Sequence, residues 1–257
     1  MESPEQGTEV EENVTSLTER RGLARGVYLL PNLITTGALF SGFYAIIAAM
    51  SGSLELAAIG IVIAGFLDAL DGRIARLTNT QSEFGVQYDS LSDMVAFGVA
   101  PAVLMFSWVL SDLGKIGWMI AFLYMACAAL RLARFNTAPD NKVFFGLASP
   151  AAAGTMATTV WTWVDNFDPA VSIQISVFIA AFVSVTALLM VSNLRYYSPK
   201  HLNLKGRVPF VYMLVVVFLF VIVFVYPPGM LVTIGLVYIV SGPIQAIIRK
   251  VRPKPSD

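Results

Sequence analysis

Along the 257 residues, apolar stretches long enough to cross a bilayer as a helix recur about eight times. Each is close to the ~20 residues that a hydrocarbon core of ~30 Å demands. They run near 28–50, 54–77, 87–110, 116–135, 146–164, 170–193, 208–226 and 230–248. Lipid offers backbone amides no partner, so segments of this kind are confined to structures that satisfy their own hydrogen bonds. The expected fold is all-α: a polytopic membrane helical bundle of about eight transmembrane helices. Composition agrees, since 13% of residues are charged where a soluble domain carries about 25%. Glycine and proline mark the joins, at Gly52, Gly114, Pro169 and Pro227-Pro228-Gly229, where turns need them. No internal repeat and no separate soluble domain is evident.

The ends read differently. Residues 1–25 form an acidic tail (Glu2, Glu5, Glu9, Glu11, Glu12) followed by a basic juxtamembrane cluster, Arg20, Arg21 and Arg25. The tail lacks the basic start and short apolar run of a cleaved signal, so the first span is expected to stay in the mature protein. Residues 26–250 make the membrane domain and 251–257 a second tail. With the N-terminus inside and eight spans, every one of the 17 lysines and arginines except Lys115 falls on the inner side. Cationic loops stay in the cytoplasm, so both termini are expected there, in a multi-pass protein of the cytoplasmic membrane.

The formal charge is zero, which argues against a nucleic-acid partner. Cys127 and His201 are the single cysteine and histidine, so an intrachain disulfide and a Cys/His zinc site are both excluded. Any metal must be held by oxygen. His201, amid Arg195, Lys200, Lys205 and Arg207, reads as part of a solvated loop meeting anionic headgroups. Trp108, Trp118, Trp161 and Trp163 fall near the outer ends of spans and read as an interfacial belt.

Against this background four acids stand out: Asp68 and Asp71 in the second stretch, Asp89 and Asp93 in the third. An ionisable group at membrane depth costs about 2.5–3.5 kcal/mol on insertion scales and is a functional candidate by default. The i,i+3 and i,i+4 spacings put each pair on one helix face. If the two helices lie antiparallel across the short polar turn, the four carboxylates converge. They would then repel one another, and Arg73 and Arg76 are too few to neutralise them. Divalent cations such as Mg²⁺ or Mn²⁺ remove the difficulty, because carboxylate oxygen is the donor they prefer. Two such ions form a clamp suited to in-line phosphoryl displacement. Gly72, Ala75 and Gly85 are small enough for close approach of a ligand or helix, and Arg76 shares a face with Gly72, where its fork suits phosphate.

The run from Asp68 to Asp93 reads D-x2-D-G-x2-A-R-x8-G-x3-D-x3-D, and it resembles the signature of the CDP-alcohol phosphotransferase family at every defined position. The resemblance implies a helical membrane fold, a CDP-linked donor, two divalent cations and a homodimer. It implies Asp68, Asp71 and Asp89 as metal ligands and Asp93 as ligand and general base. Gly72, Ala75, Arg76 and Gly85 would line the donor site. Softer motifs extend the likeness: Pro31-Asn32 with Thr35, Arg131 to Asn136, Phe145 to Gly154, and Val191 to Lys200. Together they resemble the membrane-embedded bacterial and archaeal phosphatidylserine synthases, although Ala148 stands where proline is usual.

That likeness implies CDP-diacylglycerol and L-serine as substrates. Serine carries a carboxylate, for which bidentate arginine is the usual partner. Arg131 and Arg134 lie i,i+3 at the inner end of the fourth span, and they read equally as anchors to lipid phosphate. Arg134 serves either the acceptor or the donor's phosphate, and Asn136 is placed for the serine amine. Asn32 and Thr35 are candidate donors to the pyrophosphate, while Asn32 reads equally as a helix N-cap after Pro31. Two rivals remain. One is the same chemistry on glycerol 3-phosphate or an inositol phosphate; the other is a cation transporter, although no second half repeats the aspartates.

Overall fold

The computed structural model describes residues 29–137, 145–167, 171–194, 196 and 225–251, with single positions at 214, 218 and 221. Helix α1 spans Leu29–Met50 and α2 spans Leu54–Leu77. Helix α3, Glu83–Asp93, runs through a π-helical turn, Met94–Val99, into α4, Ala100–Trp108. After a 3-10 turn at Leu110–Leu113 come α5, Lys115–Thr137, α6, Ser149–Asn166, α7, Ile173–Val191, and α8, Pro227–Val251. Among the described residues there is no strand. The expected all-helical class is the observed one.

Among the described residues, five helical segments are long and apolar enough to span a membrane: α1, the continuous α3–α4 rod, α5, α7 and α8. Helices α2 and α6, with 24 and 18 residues, reach far enough at about 1.5 Å per residue but are too polar to qualify. For α6, its position explains why. Helix α6 packs between α2 and α8 and buries Ala152, Ala153, Met156, Ala157 and Val160. A helix enclosed by protein needs no apolar surface for lipid. Its threonines return their hydroxyls to the preceding turn, as Thr158 does to the Gly154 carbonyl at 2.7 Å, which satisfies them inside the bundle. The large apolar side chains that remain exposed, such as Phe40, Phe66 and Phe178, are those expected to face acyl chains. Of the seventh expected span, positions 214, 218, 221 and 225 are described and helical; its other positions up to 224, the basic N-terminal cluster, Lys142 and the loop residues Arg195 and His201 lie outside the described residues.

Small residues set the closest approaches. A Cβ on Gly42 of α1 would lie 2.7 Å from the Ala96 Cα in the π turn. Elsewhere on α1, the Ser41 hydroxyl donates to the Gly60 carbonyl of α2 at 2.8 Å. Gly146, at φ +78°, occupies backbone space that only glycine enters comfortably. Its amide donates to the Leu194 carbonyl at 2.8 Å, which ties the entry of α6 to the exit of α7. Ala148 precedes α6 with φ −63° and ψ 131°, dihedrals a proline would also adopt, so the departure from the resembled motif leaves the backbone path intact.

One expectation is corrected. Trp108 is not an interfacial belt residue: it is buried and packs on Trp163 with ring centroids 5.9 Å apart. Its position near a span end predicts lipid exposure only if that face points outward, and the α4 face with Leu104 and Met105 points into the core. Trp118 does remain exposed.

Candidate metal and transfer centre

Local sequence sets the two acid-bearing helices in place. Helix α2 ends at Leu77, where Thr78 caps the Ile74 carbonyl and Asn79 turns into positive φ, 56°. Asparagine tolerates that region better than most residues. After the short connection, Ser82 is the N-cap of α3, and its hydroxyl accepts from the Gly85 amide at 3.0 Å, filling one of the orphan donors of a first turn. The polar turn thus closes tightly enough to bring α3 back beside α2.

The carboxylates converge. Oxygens of Asp68, Asp71 and Asp89 lie within 4.8 Å of one another, and the Asp93 carboxyl lies beside that of Asp68. Asp71 is the most enclosed, at 4% exposure. Arg131 feels the charge of Asp93, and one arginine cannot neutralise four carboxylates. Arg73 and Arg76 are exposed. Four acids packed together repel strongly, and the all-oxygen donor set suits a hard divalent cation. The residues present therefore fit the metal that the sequence implies.

Around the acids the structure sorts the other candidates. Thr35 of α1 does not stand free to meet a ligand: its hydroxyl donates to Asp71 Oδ2 at 2.6 Å. Asn32, one turn earlier, places its Oδ1 3.4 Å from where a Gly85 Cβ would be, so the start of α1 abuts the start of α3. A Cβ on Gly72 would meet nothing within 4 Å, which leaves open space beside Asp71. Ala75 is half-buried on the same helix.

The three candidates on α5 diverge. Arg131 is half-buried and donates from an Nη to Ser149 Oγ at 2.9 Å, while its Nε is buried without a partner. Asp93 is among the groups whose charge it feels. Arg134 is exposed and turned to α7, donating to Asn193 Oδ1 at 2.7 Å and lying over the Phe145 ring. The Asn136 amide donates to Ser90 Oγ at 3.0 Å, beside Asp89. Ser90, Ser92 and Ser149 are absent from the sequence-based candidates, because a serine in a membrane helix carries no signal until its partner is known.

The rod that carries Asp89 and Asp93 is interrupted immediately after Asp93 by the π turn. Pro101 lacks the amide that would reach the Phe97 carbonyl in an α-helix, and its ring crowds that carbonyl. A wider turn relieves the clash, and the Ala100 amide bonds Val95, five residues back. Proline within the third apolar stretch is the signal in the sequence for this distortion.

The chain matches the family model described as CDP-alcohol phosphatidyltransferase over residues 28–186. It is 38% identical over 231 residues to the CDP-diacylglycerol–serine O-phosphatidyltransferase of Helicobacter pylori strain J99, covering 88% of this chain and 94% of that one. To the archaetidylserine synthase of Methanothermobacter thermautotrophicus it is 36% identical over 171 residues, 65% of this chain and 69% of the relative. The CDP-diacylglycerol–serine O-phosphatidyltransferase of Bacillus subtilis is 35% identical over 135 residues, 52% of this chain and 76% of that one.

Proposed function

This chain belongs to the CDP-alcohol phosphatidyltransferase family, and from that premise we propose that it transfers the phosphatidyl group of CDP-diacylglycerol to L-serine, giving phosphatidylserine and CMP. The observation that carries this reading is the meeting of Asp68, Asp71 and Asp89 oxygens within 4.8 Å, in a chain whose Helicobacter relative bears that activity in its name.

In this reading Asp68, Asp71, Asp89 and Asp93 hold two divalent cations, Mg²⁺ or Mn²⁺. Such ions, when bound, offset the negative charge of the pyrophosphate and of the departing CMP. Asp93 accepts the serine hydroxyl proton as the oxygen attacks the phosphorus attached to diacylglycerol, and the bond from that phosphorus to the CMP oxygen breaks. Gly72, Ala75, Arg76 and Gly85, with Asn32 and Thr35, line the donor site, and the free space at Gly72 supports this. Arg131, with its unpaired buried Nε, takes the serine carboxylate, Arg134 serves the acceptor or the donor's phosphate, and Asn136 meets the serine amine. Holding the reactants in line supplies most of the acceleration. Eight spans, with both termini and the site facing the cytoplasm, place the reaction at the inner leaflet. The assembly is a homodimer.

The test is a product assay on purified protein with CDP-diacylglycerol and, separately, L-serine, glycerol 3-phosphate and an inositol phosphate. Phosphatidylserine and CMP in equal amounts are expected from serine. Faster turnover of another alcohol would overturn the acceptor assignment, and metal uptake into vesicles without CMP release would overturn the enzyme assignment.

A further inference from the structure

We infer that Tyr124 of α5 is a positioning residue for the transfer reaction: its hydroxyl latches the π turn that aims Asp93 and Asp89 into the carboxylate cluster. The Tyr124 hydroxyl donates to the Phe97 carbonyl at 3.1 Å. Tyr124 is 0% exposed and Phe97 1%, so no water competes for either group. That carbonyl is the one Pro101 leaves without its α-helical donor. Pro101 has no amide to offer it, and the tyrosine hydroxyl supplies a donor to this buried carbonyl. Two residues from different helices thus act as one device.

The device bears on the site because of where the turn falls. The π turn begins at Met94, the residue after Asp93. Beyond it, α4 is anchored in the core through Leu104, Met105 and Trp108. Each residue of an α-helix advances the facing direction by about 100°, so taking up or releasing the extra residue of a π turn swings the Asp89/Asp93 face against that anchor. The backbone of α1 meets the turn at Gly42, against Ala96. Tyr124 and Gly42 thus hold the turn at adjacent residues, Phe97 and Ala96, while Asp93 stands at its N-terminal edge. Tyr124 touches no reacting atom and acts only through the direction in which Asp93 points.

The experiment compares Tyr124→Phe with Tyr196→Phe in the full-length protein. Tyr196→Phe is a matched control: it removes another buried hydroxyl, which donates to the Ile239 carbonyl of α8 at 3.1 Å and not to the helix that carries Asp89 and Asp93. Both variants are expected to melt at a lower temperature than the wild type. Only Tyr124→Phe is expected to lower kcat, by about ten- to a hundred-fold, as small misplacements of reacting groups do, with KM for the CDP-lipid unchanged. Equal effects of the two variants on kcat, or a kcat for Tyr124→Phe equal to that of the wild type, would overturn the inference.

Pro101→Ala supplies a second arm, because alanine at that position has an amide to offer Phe97. In that background Tyr124→Phe should cause little further loss of thermal stability, whereas kcat should already be low in a protein that still binds CDP-lipid. A full additional loss of stability would show that the carbonyl is not orphaned by the proline, and would also overturn the latch. Any acceptor that the wild type turns over serves for these measurements, so a failure of the serine assignment shows in the wild-type arm and a failure of the latch in the variants.

Discussion

The Thr35 hydroxyl donates to Asp71 Oδ2 at 2.6 Å, joining the first helix to the most enclosed carboxylate of the cluster. The Thr35 carbonyl in turn accepts from Ser92 Oγ at 3.3 Å, beside Asp93. One residue of α1 therefore binds both acid-bearing helices, and it orients the Asp71 carboxylate by occupying one of its oxygens. Removing the hydroxyl in Thr35→Val keeps the shape and loses the bond. Groups that orient a metal ligand are worth about 10- to 100-fold in metal affinity. The Mg²⁺ or Mn²⁺ concentration for half-maximal CMP release should rise by that factor; an unchanged titration would show that Asp71 is held without Thr35.

Asp93→Asn retains the shape of the side chain but not its basicity. Turnover should fall to background while the protein still binds CDP-diacylglycerol, as measured by direct lipid binding. Asp68→Ala should weaken metal and donor binding together. Near-normal turnover of Asp93→Asn would reject it as the base, and an unaltered metal requirement in Asp68→Ala would reject that ligand.

Chelation should both stop the reaction and loosen the protein. Four mutually repelling acids are relieved by bound cations, and a ligand present at a hundred times its Kd stabilises the folded state by about 2.7 kcal/mol. EDTA should therefore abolish CMP release and lower the melting temperature, and excess Mg²⁺ or Mn²⁺ should restore both. Lipid synthesis continuing at full rate in rigorously chelated buffer would sink the metal-dependent reading.

Gly72 separates folding from binding. A Cβ there meets nothing within 4 Å, and alanine in a helix interior is favoured over glycine by about 0.5–1 kcal/mol. Gly72→Ala should melt no lower than the wild type. If the open space belongs to the donor, the added methyl should raise KM for CDP-diacylglycerol by about ten-fold, near the lower end of what one such group is worth in a tight site. A steady-state titration with unchanged KM would assign that space to something else.

Gly42 tests packing instead. Its Cβ would lie 2.7 Å from Ala96 Cα and 2.9 Å from Ala96 Cβ, against backbone that cannot rotate away. Gly42→Ala should cost about 1–3 kcal/mol, as overpacking does, visible as a lower melting temperature in detergent. An unaltered melt would mean that α1 and the π turn separate freely.

Much of this is legible from the chain alone. Helix α2 begins and ends at Leu54 and Leu77 as the apolar stretch does, and the acids within it announce themselves because charge at that depth is expensive. Hydropathy starts the third span at Gln87, yet α3 starts at Glu83. Its first turn is polar, and Ser82 caps it through a hydrogen bond that hydropathy does not register. The belt position expected of Trp108 fails because distance along a helix says how deep a residue lies and not which way it faces. Thr35 reads from the sequence as a contact for the donor, and its partner is a carboxylate 36 positions away.

The order of amino acids carries what is local and periodic: helices long enough for a bilayer, two acid pairs each on one face, and a proline that denies Phe97 its α-helical partner. Each follows from spacing along one segment. Assembly of the bundle alone settles which groups from different segments meet: Thr35 with Asp71, Asp68 with Asp93, Tyr124 with Phe97, and Arg131 rather than Arg134 near the acids. Those meetings depend on how helices rotate and approach one another. Close packing around glycines and serines sets that rotation, and no periodicity within a single helix encodes it.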